Sequence, residues 1–521
     1  MKSVMNHNFS QIPQANIPRS SFNRSHGHKT TFDAGYLVPI FIDEALPGDT
    51  FSLQASLFGR LSTPIVPIMD NMHMETFFFS VPIRLIWDNW QKFNGEQKNP
   101  DDPTDFLVPT VYSGVPYAEL SLEDYFGLPI GTLNVNPCAF WHRAYNLIWN
   151  EWFRDQNLQD SVPVLTDDGP DDTSNYELLR RNKRHDYFTG CLPWPQKGPG
   201  VEIPLGTSAP VIPTGNGQPS FNYSNQTNQN LYLTSAGSNV QAAMPSGTGS
   251  LQWDDTMLIA DLSNAGAATI NTLRQAFQVQ KLLERDARGG TRYTEILRAH
   301  FGVVSPDARL QRPEYLGGSS SPVNINAVAQ TSGSPGDAGY TNTPQGHLAA
   351  FGTTADHFHG FTKSFTEHCV IIGLVNVRAD LNYQQGMRRM FSRQTRFDFY
   401  WPALANIGEQ SVLNKEIYHQ GTAADDEVFG YQERWSEYRY FPSQITGRFR
   451  STAAQPLDYW HLAQEFLALP TLNSQFITEN PPIDRVIAVQ QEPHFIFDSY
   501  FSLKCARPMP VYSVPGMIDH F

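Results

Sequence analysis

Phe51, Leu53, Ala55 and Leu57 alternate with Ser52, Gln54 and Ser56, a period of two that marks a half-buried strand. Near the other end Phe495, Phe497, Phe501 and Leu503 repeat the pattern. A strand with one apolar face needs a second apolar layer over it. Other runs fit the same rhythm. Tyr36 to Ile42 is short and apolar and is closed by Pro47-Gly48-Asp49, while Met72 to Val81 carries Phe77-Phe78-Phe79 and stops at Pro82. His368 to Val377 is almost wholly apolar, as in a strand buried on both faces. Phe397, Phe399 and Trp401 alternate as a further expected strand. Strands are therefore expected mainly in 32–81 and 366–505, with insertions in 82–365. One barrel closed by early and late strands explains this better than separate domains, so 32–521 reads as a single domain.

Inside the insertion, 140–155 and 263–288 read as helices. The second has a broad apolar stripe of Ile270, Leu273, Phe277, Val279 and Leu283, a cap at Ser263 or Asn264, and a stop at Gly289-Gly290. Another helix is expected over about 291–300. Two tracts are almost free of charge: Ile203 to Trp253 has no Asp, Glu, Lys or Arg, and Tyr315 to Ala355 has only Asp337. Both read as long loops, functional or disordered. Charged residues make up 17% of the chain against about 25% in an ordinary soluble globule. With 12% aromatics and 38 prolines, the chain is neither disordered nor a coiled coil.

No run reaches the ~18–20 apolar residues of a spanning helix, and Met1 to Ser25 has no apolar core of a signal peptide. Insertion into a membrane is not expected. Cys138, Cys191, Cys369 and Cys505 are far apart and form no CxxC, so reduced buried thiols are expected.

Reactive constellations are sparse. The sequence has no GxxxxGK[ST] loop, HExxH helix or GxSxG elbow. Asp356-His357-Phe358-His359, with Glu367 and His368, could ligate a metal if both histidines share a strand face, though a polar loop is the expected reading. His26-Gly-His28 is a weaker candidate. The acids of 101–105 and 167–172 lack calcium-loop spacing and read as solvated loops. Asp425-Asp426-Glu427 resembles a catalytic carboxylate set only by residue type. No cofactor, metal or catalytic group is expected.

The basic residues carry more information. Residues 1–31 contain Lys2, Arg19, Arg24 and Lys29 and no acid, which suggests a flexible basic arm that either faces DNA or is a plain solvated tail. Between Arg378 and Arg396 five arginines, among them Arg388, Arg389 and Arg393, meet one acid and are interleaved with Tyr383 and Phe391. Cations with aromatic neighbours suit single-stranded nucleic acid, the cations tracking the backbone and the rings stacking on bases. Lys504 and Arg507 are further candidates. Trp141, Trp149, Trp152, Arg285, Arg288 and Arg292 are candidates for subunit contact, because Trp and Arg are enriched at interfaces. Packing against their own barrel, or internal salt bridges, is the competing explanation. A β-rich carbohydrate-binding protein or glycosidase is the alternative function, suggested by the many Trp and Tyr.

Several segments carry a resemblance. Gln275-Ala-Phe-Gln-Val-Gln-Lys-Leu-Leu-Glu-Arg-Asp-Ala-Arg-Gly-Gly290, running on through Gly302-Val-Val-Ser-Pro-Asp-Ala-Arg to Gly317-Gly318, resembles the major capsid proteins of the gokushovirus branch of the Microviridae. Gly35-Tyr-Leu-Val-Pro39, Leu46-Pro-Gly-Asp49 and Trp435-Ser-Glu-Tyr-Arg-Tyr440 are similar to the same family's ends. The resemblance implies an eight-stranded antiparallel viral jelly roll with long loop and helical insertions. It implies sixty copies in a T=1 icosahedral shell around a circular single-stranded DNA genome, as a virion made in a bacterial cytoplasm. One insertion, with 203–253 the first candidate and 315–355 the second, would form a three-fold protrusion that contacts an unidentified host receptor. An internal scaffolding protein, a DNA pilot protein and a small basic packaging protein are implied partners. The last fits the charge, since sixty copies at −14 sum to about −840 and cannot neutralise DNA overall.

Overall fold

The computed structural model describes residues 18–201, 270–304, 311–333, 336 and 344–512, with short strand segments between 211 and 260. The chain divides into two compact units, residues 1–195 with 289–521, and residues 196–288. The expected single domain over 32–521 is thus divided at 196 and 288, and the second unit takes in the 203–253 tract and the helix after it.

The first unit is mainly β. Its strands are β1 (Ser20–Asn23), β2 (His26–Phe32), β3 (Val38–Ala45), β4 (Thr50–Leu61) and β5 (Met72–Pro82), then β6 (Glu314–Pro322), β7 (Asn324–Ala329), β8 (Leu348–Ser364) and β9 (Cys369–Ala379). The short β10 (Glu409–Leu413) and β11 (Val428–Glu433) pair with each other, and β12 (Phe495–Arg507) closes the series. One antiparallel sheet runs β1-β12-β4-β8-β7, with β2 also on β12; the other runs β6-β5-β9-β3. Phe51, Leu53, Ala55 and Leu57 all point inward, as their alternation requires, and meet Phe78, Phe497 and Phe501 between the sheets. The Phe41 and Phe501 rings lie 5.2 Å apart across this core. Each fully buried aromatic contributes roughly 1.5–3 kcal/mol.

β9 is buried along its whole length because both faces are covered. Ile371, Val375 and Val377 face the inter-sheet core, whereas Val370, Ile372 and Leu374 face a second apolar layer. That layer is α1 (Phe140–Ile148), its continuation through Trp149–Phe153, and Trp87. Gly373 is needed where β9 passes beneath two rings. A Cβ there would stand 2.7 Å from Phe78 Cε1 and 2.8 Å from Phe41 Cβ.

Four strand expectations differ from the structure. Residues 20–31 are strands along β12 rather than part of a flexible arm, which leaves less of the β12 edge unpaired. Much of the uncharged tract 315–355 is β6, β7 and the start of β8, not a surface loop. Its Gly and Ser residues permit close approach of the backbones: a Cβ on Gly317 would meet Gly360 O at 2.6 Å. Phe397, Phe399 and Trp401 lie in 3₁₀ turns and loop and are exposed, so their alternation marks no strand. Residues 380–494, expected to be strand-rich, are mostly loops and short turns built on a third small core that includes Phe188, Val412 and Phe429.

The second unit contains short strands, with Ser220–Tyr223 between Gln226–Asn230 and Leu251–Trp253. It also contains α2 (Ile270–Arg288), whose Ile270 and Phe277 are exposed. The expected caps Ser263 and Asn264 lie outside the described residues. α3 (Tyr293–Phe301) follows in the first unit and ends at Gly302 in a left-handed conformation.

Candidate nucleic-acid interface

Among the DNA-facing candidates, Lys2 lies outside the described residues. Arg19 donates to Thr50 Oγ1 at 2.9 Å. Arg24 pairs with Asp43 at 2.5 Å, and Lys29 with Asp498 at 3.0 Å on adjacent exposed strands. Arg507 sits over the Phe51 ring, pairs with buried Asp49 at 3.0 Å and donates to Glu44 O at 2.6 Å. Lys504 is exposed on β12. The three arginines after β9 come together in the third core region. Arg388 lies over Phe441, 3.8 Å from its centroid. Arg389 pairs with Glu416 at 3.1 Å and Arg393 with Glu437 at 3.2 Å. Burial raises the Glu416 carboxyl, offset in part by Arg389. Partly or largely buried ion pairs therefore hold Arg24, Arg389, Arg393 and Arg507, while Lys29 makes an exposed one. What the sequence could not show was the acid each would meet.

The candidates for subunit contact separate in the same way. Trp149 is buried in the second apolar layer and donates Nε1 to Arg180 O at 2.9 Å, so it packs against its own barrel. Trp141 is partly buried there. Trp152 keeps 39% of its surface exposed, under the Arg312 guanidinium. Arg292 is tied to Glu151 at 2.9 Å and Glu295 at 3.0 Å. Arg285 and Arg288 lie in the last turn of α2 in the second unit.

The outward face of the first sheet was missed in the sequence. Phe58, Arg60, Ile496 and Tyr500 are exposed between the buried positions of β4 and β12, and Phe58 is paired with Asp498. The signal was present as aromatic and basic residues at the polar phase of the same alternation.

The acidic segments are ordered. Arg143, fully buried, meets Asp171 through Nε and Nη2 at 2.7 and 2.6 Å, and its Nη1 reaches Ile86 O at 2.9 Å. Tyr176 donates to the same carboxylate at 2.5 Å, and Asp168 accepts from Trp87 Nε1 at 2.7 Å. The 167–172 segment is therefore an anchor for the second apolar layer rather than a solvated loop. Asp102 accepts from Lys98 N and Asn99 N, and Asp425 from Gln420 N and Gly421 N, both local turns. Phe358, at a positive φ, interrupts β8 with a bulge, and His359 turns to Asp356 at 2.7 Å. His26 and His28 lie on β2. Among the described residues no group of three His, Cys, Asp or Glu is placed to hold a metal. The four cysteines are free, and burial pushes the Cys369 thiol up to about 12. No described helix is long and apolar enough to cross a membrane.

Comparison with known sequences gives a consistent result. A family described as capsid protein (F protein) matches residues 10–517. Capsid protein VP1 of Bdellovibrio phage phiMH2K is 50% identical over 99% of this chain and 98% of its own. Capsid protein VP1 of Chlamydia phage 1 is 44% identical over 99% and 98%, and that of Spiroplasma virus 4 is 37% identical over 98% and 97%.

Proposed function

The chain belongs to the phage capsid protein (F protein) family, and we propose on that premise that sixty copies close into a T=1 shell around a circular single-stranded DNA genome. It is a structural capsid protein of the virion, and its work is assembly rather than catalysis. The strand winding supports a jelly roll. From β2 through β5 the chain crosses between the two sheets at every step, it stays in one sheet from β5 to β6, and it alternates again through β8, β9 and β12. Such a sandwich, with one outer face under α1 and the other outer face open, offers broad surfaces for the repeated contacts of two-, three- and five-fold symmetry.

The carrying observation is identity over nearly the whole length with capsid proteins. Sedimentation and negative-stain microscopy of chain recovered from cells that also make the proposed scaffolding partner test the shell. Closed particles of about 3.5 MDa are expected from sixty copies of 58.7 kDa, and a persistent monomer would overturn the reading. Assembly in the host cytoplasm with scaffolding, pilot and small basic packaging proteins belongs to the same proposal. So does the 203–253 tract as a three-fold protrusion that touches the host. Deleting it should leave shells that lack protrusions and no longer adsorb.

A further inference from the structure

Two recesses adjoin in the 380–494 region. The first, about 620 Å³ counting space open to solvent, is walled by Phe188, Tyr383, Tyr440, Phe441 and Arg388. The second, about 550 Å³ on the same basis, is lined by Ser392, Arg393, Lys415, Arg434 and Asp398. Arg389, Glu416 and Glu437 line both, so an aromatic space opens beside a cationic one.

The groups left over after internal pairing decide what could bind. Glu416 accepts from Arg389 and, at 2.7 Å, from Tyr187 Oη. Glu437 accepts from Arg393 and, at 2.7 Å, from Gln410 Nε2. Lys415 is neutralised by Asp426 at 2.7 Å. The carboxylates shared by the two recesses are therefore engaged, which leaves few acceptors for the hydroxyls of a sugar. Arg388 and Arg434 instead lie over the rings of Phe441 and Trp435, at 3.8 and 4.5 Å, and among the described residues neither makes an ion pair. The buried Nε atoms of Arg393 and Arg434 have no hydrogen-bond partner among the described residues. Phe441 is 72% exposed and offers a ring face to solvent. Spare guanidinium donors suit a phosphate, and a ring with a stacked guanidinium suits a planar base.

We propose that the double recess holds one nucleotide of single-stranded DNA, its base against Phe441 and Arg388 and its phosphate toward Arg393 and Arg434. The proposal rests on the reading that the protein packages such a genome, and it names where one unit of the strand is gripped. Base stacking here is sequence-tolerant, as contact with a whole genome requires.

The test uses the full chain and two labelled probes, oligothymidylate and an abasic deoxyribose-phosphate oligomer of equal length, followed by fluorescence anisotropy across salt. Phe441→Ala should weaken oligothymidylate binding about tenfold and leave the abasic oligomer unchanged. Arg434→Gln should weaken both and reduce the slope of log affinity against log salt by about one. Unaltered melting curves would confirm that both variants fold. Oligothymidylate binding equal to wild type in both variants, or equal loss of both probes in Phe441→Ala, would overturn the site alone. Wild-type chain that binds neither probe would overturn the packaging reading together with the site.

Discussion

Glu75 offers a stringent test of how the second sheet is held. It lies on β5 on the side facing the α1 layer, accepts from Arg378 Nη2 at 2.5 Å, and is also paired with Arg181. Burial by itself would raise its carboxyl, but the Arg378 hydrogen bond and the Arg181 charge outweigh burial and hold it at about 2, against an ordinary 4.5. Only 10% of the side chain is exposed, so solvent screens the pair little. The fall from 4.5 to about 2, at about 1.4 kcal/mol for each tenfold change, corresponds to about 3.5 kcal/mol of stability. A lowered folded-state pKa contributes above the unfolded value and is lost as pH falls through the folded one. The contribution is therefore whole at neutral pH and fades between about pH 4.5 and 2. Glu75→Gln keeps the shape and removes the charge, leaving Arg378, 2% exposed, with no countercharge from β5. Urea denaturation followed by tryptophan fluorescence should show the variant about 2–3 kcal/mol weaker at pH 7. The gap to wild type should narrow steadily below pH 4.5. A gap that stays constant from pH 7 to 2, or no gap at pH 7, would refute the electrostatic account.

Two further outcomes follow from packing. Asp171→Ala leaves the buried Arg143 charge with only the exposed Asp167, at 3.2 Å, as a countercharge and should cost about 3–5 kcal/mol, whereas Arg143→Met with Asp171→Leu should recover most of that in thermal melts. Gly373→Ala should lower Tm and the yield of assembled particles, since the added methyl overlaps Phe78 and Phe41; a variant that melts and assembles like wild type would show that the rings can move aside.

What was legible in the sequence was what local pattern controls. Phe51 to Leu57 and Phe495 to Leu503 announced their inward faces because burial on one side imposes a period of two. The unbroken run from Cys369 announced a strand covered on both sides. β6 to β8 were missed because Gly317, Gly318 and the serines of 319–321 give almost no β signal, while close backbone contact demands small residues. The partners of the candidate site's arginines were illegible for a different reason. A run of arginines states a charge but not its partner: Asp49 reaches Arg507 from near the opposite end of the chain, and Glu416 reaches Arg389 from the far side of β10. Only folding revealed that Arg388 and Arg434 lie over rings without an ion pair among the described residues.

The place of β12 between β2 and β4 has a consequence in time. While residues 380–494 are still being translated, the first sheet exists only as two separated pieces, with the edges of β2 and β4 waiting for a neighbour. At ~5–20 residues per second, the interval between making β4 and making β12 is roughly 20–90 s. A subunit still on the ribosome therefore has no finished sandwich to offer to another subunit. The finished sandwich is a property of the nearly complete chain alone.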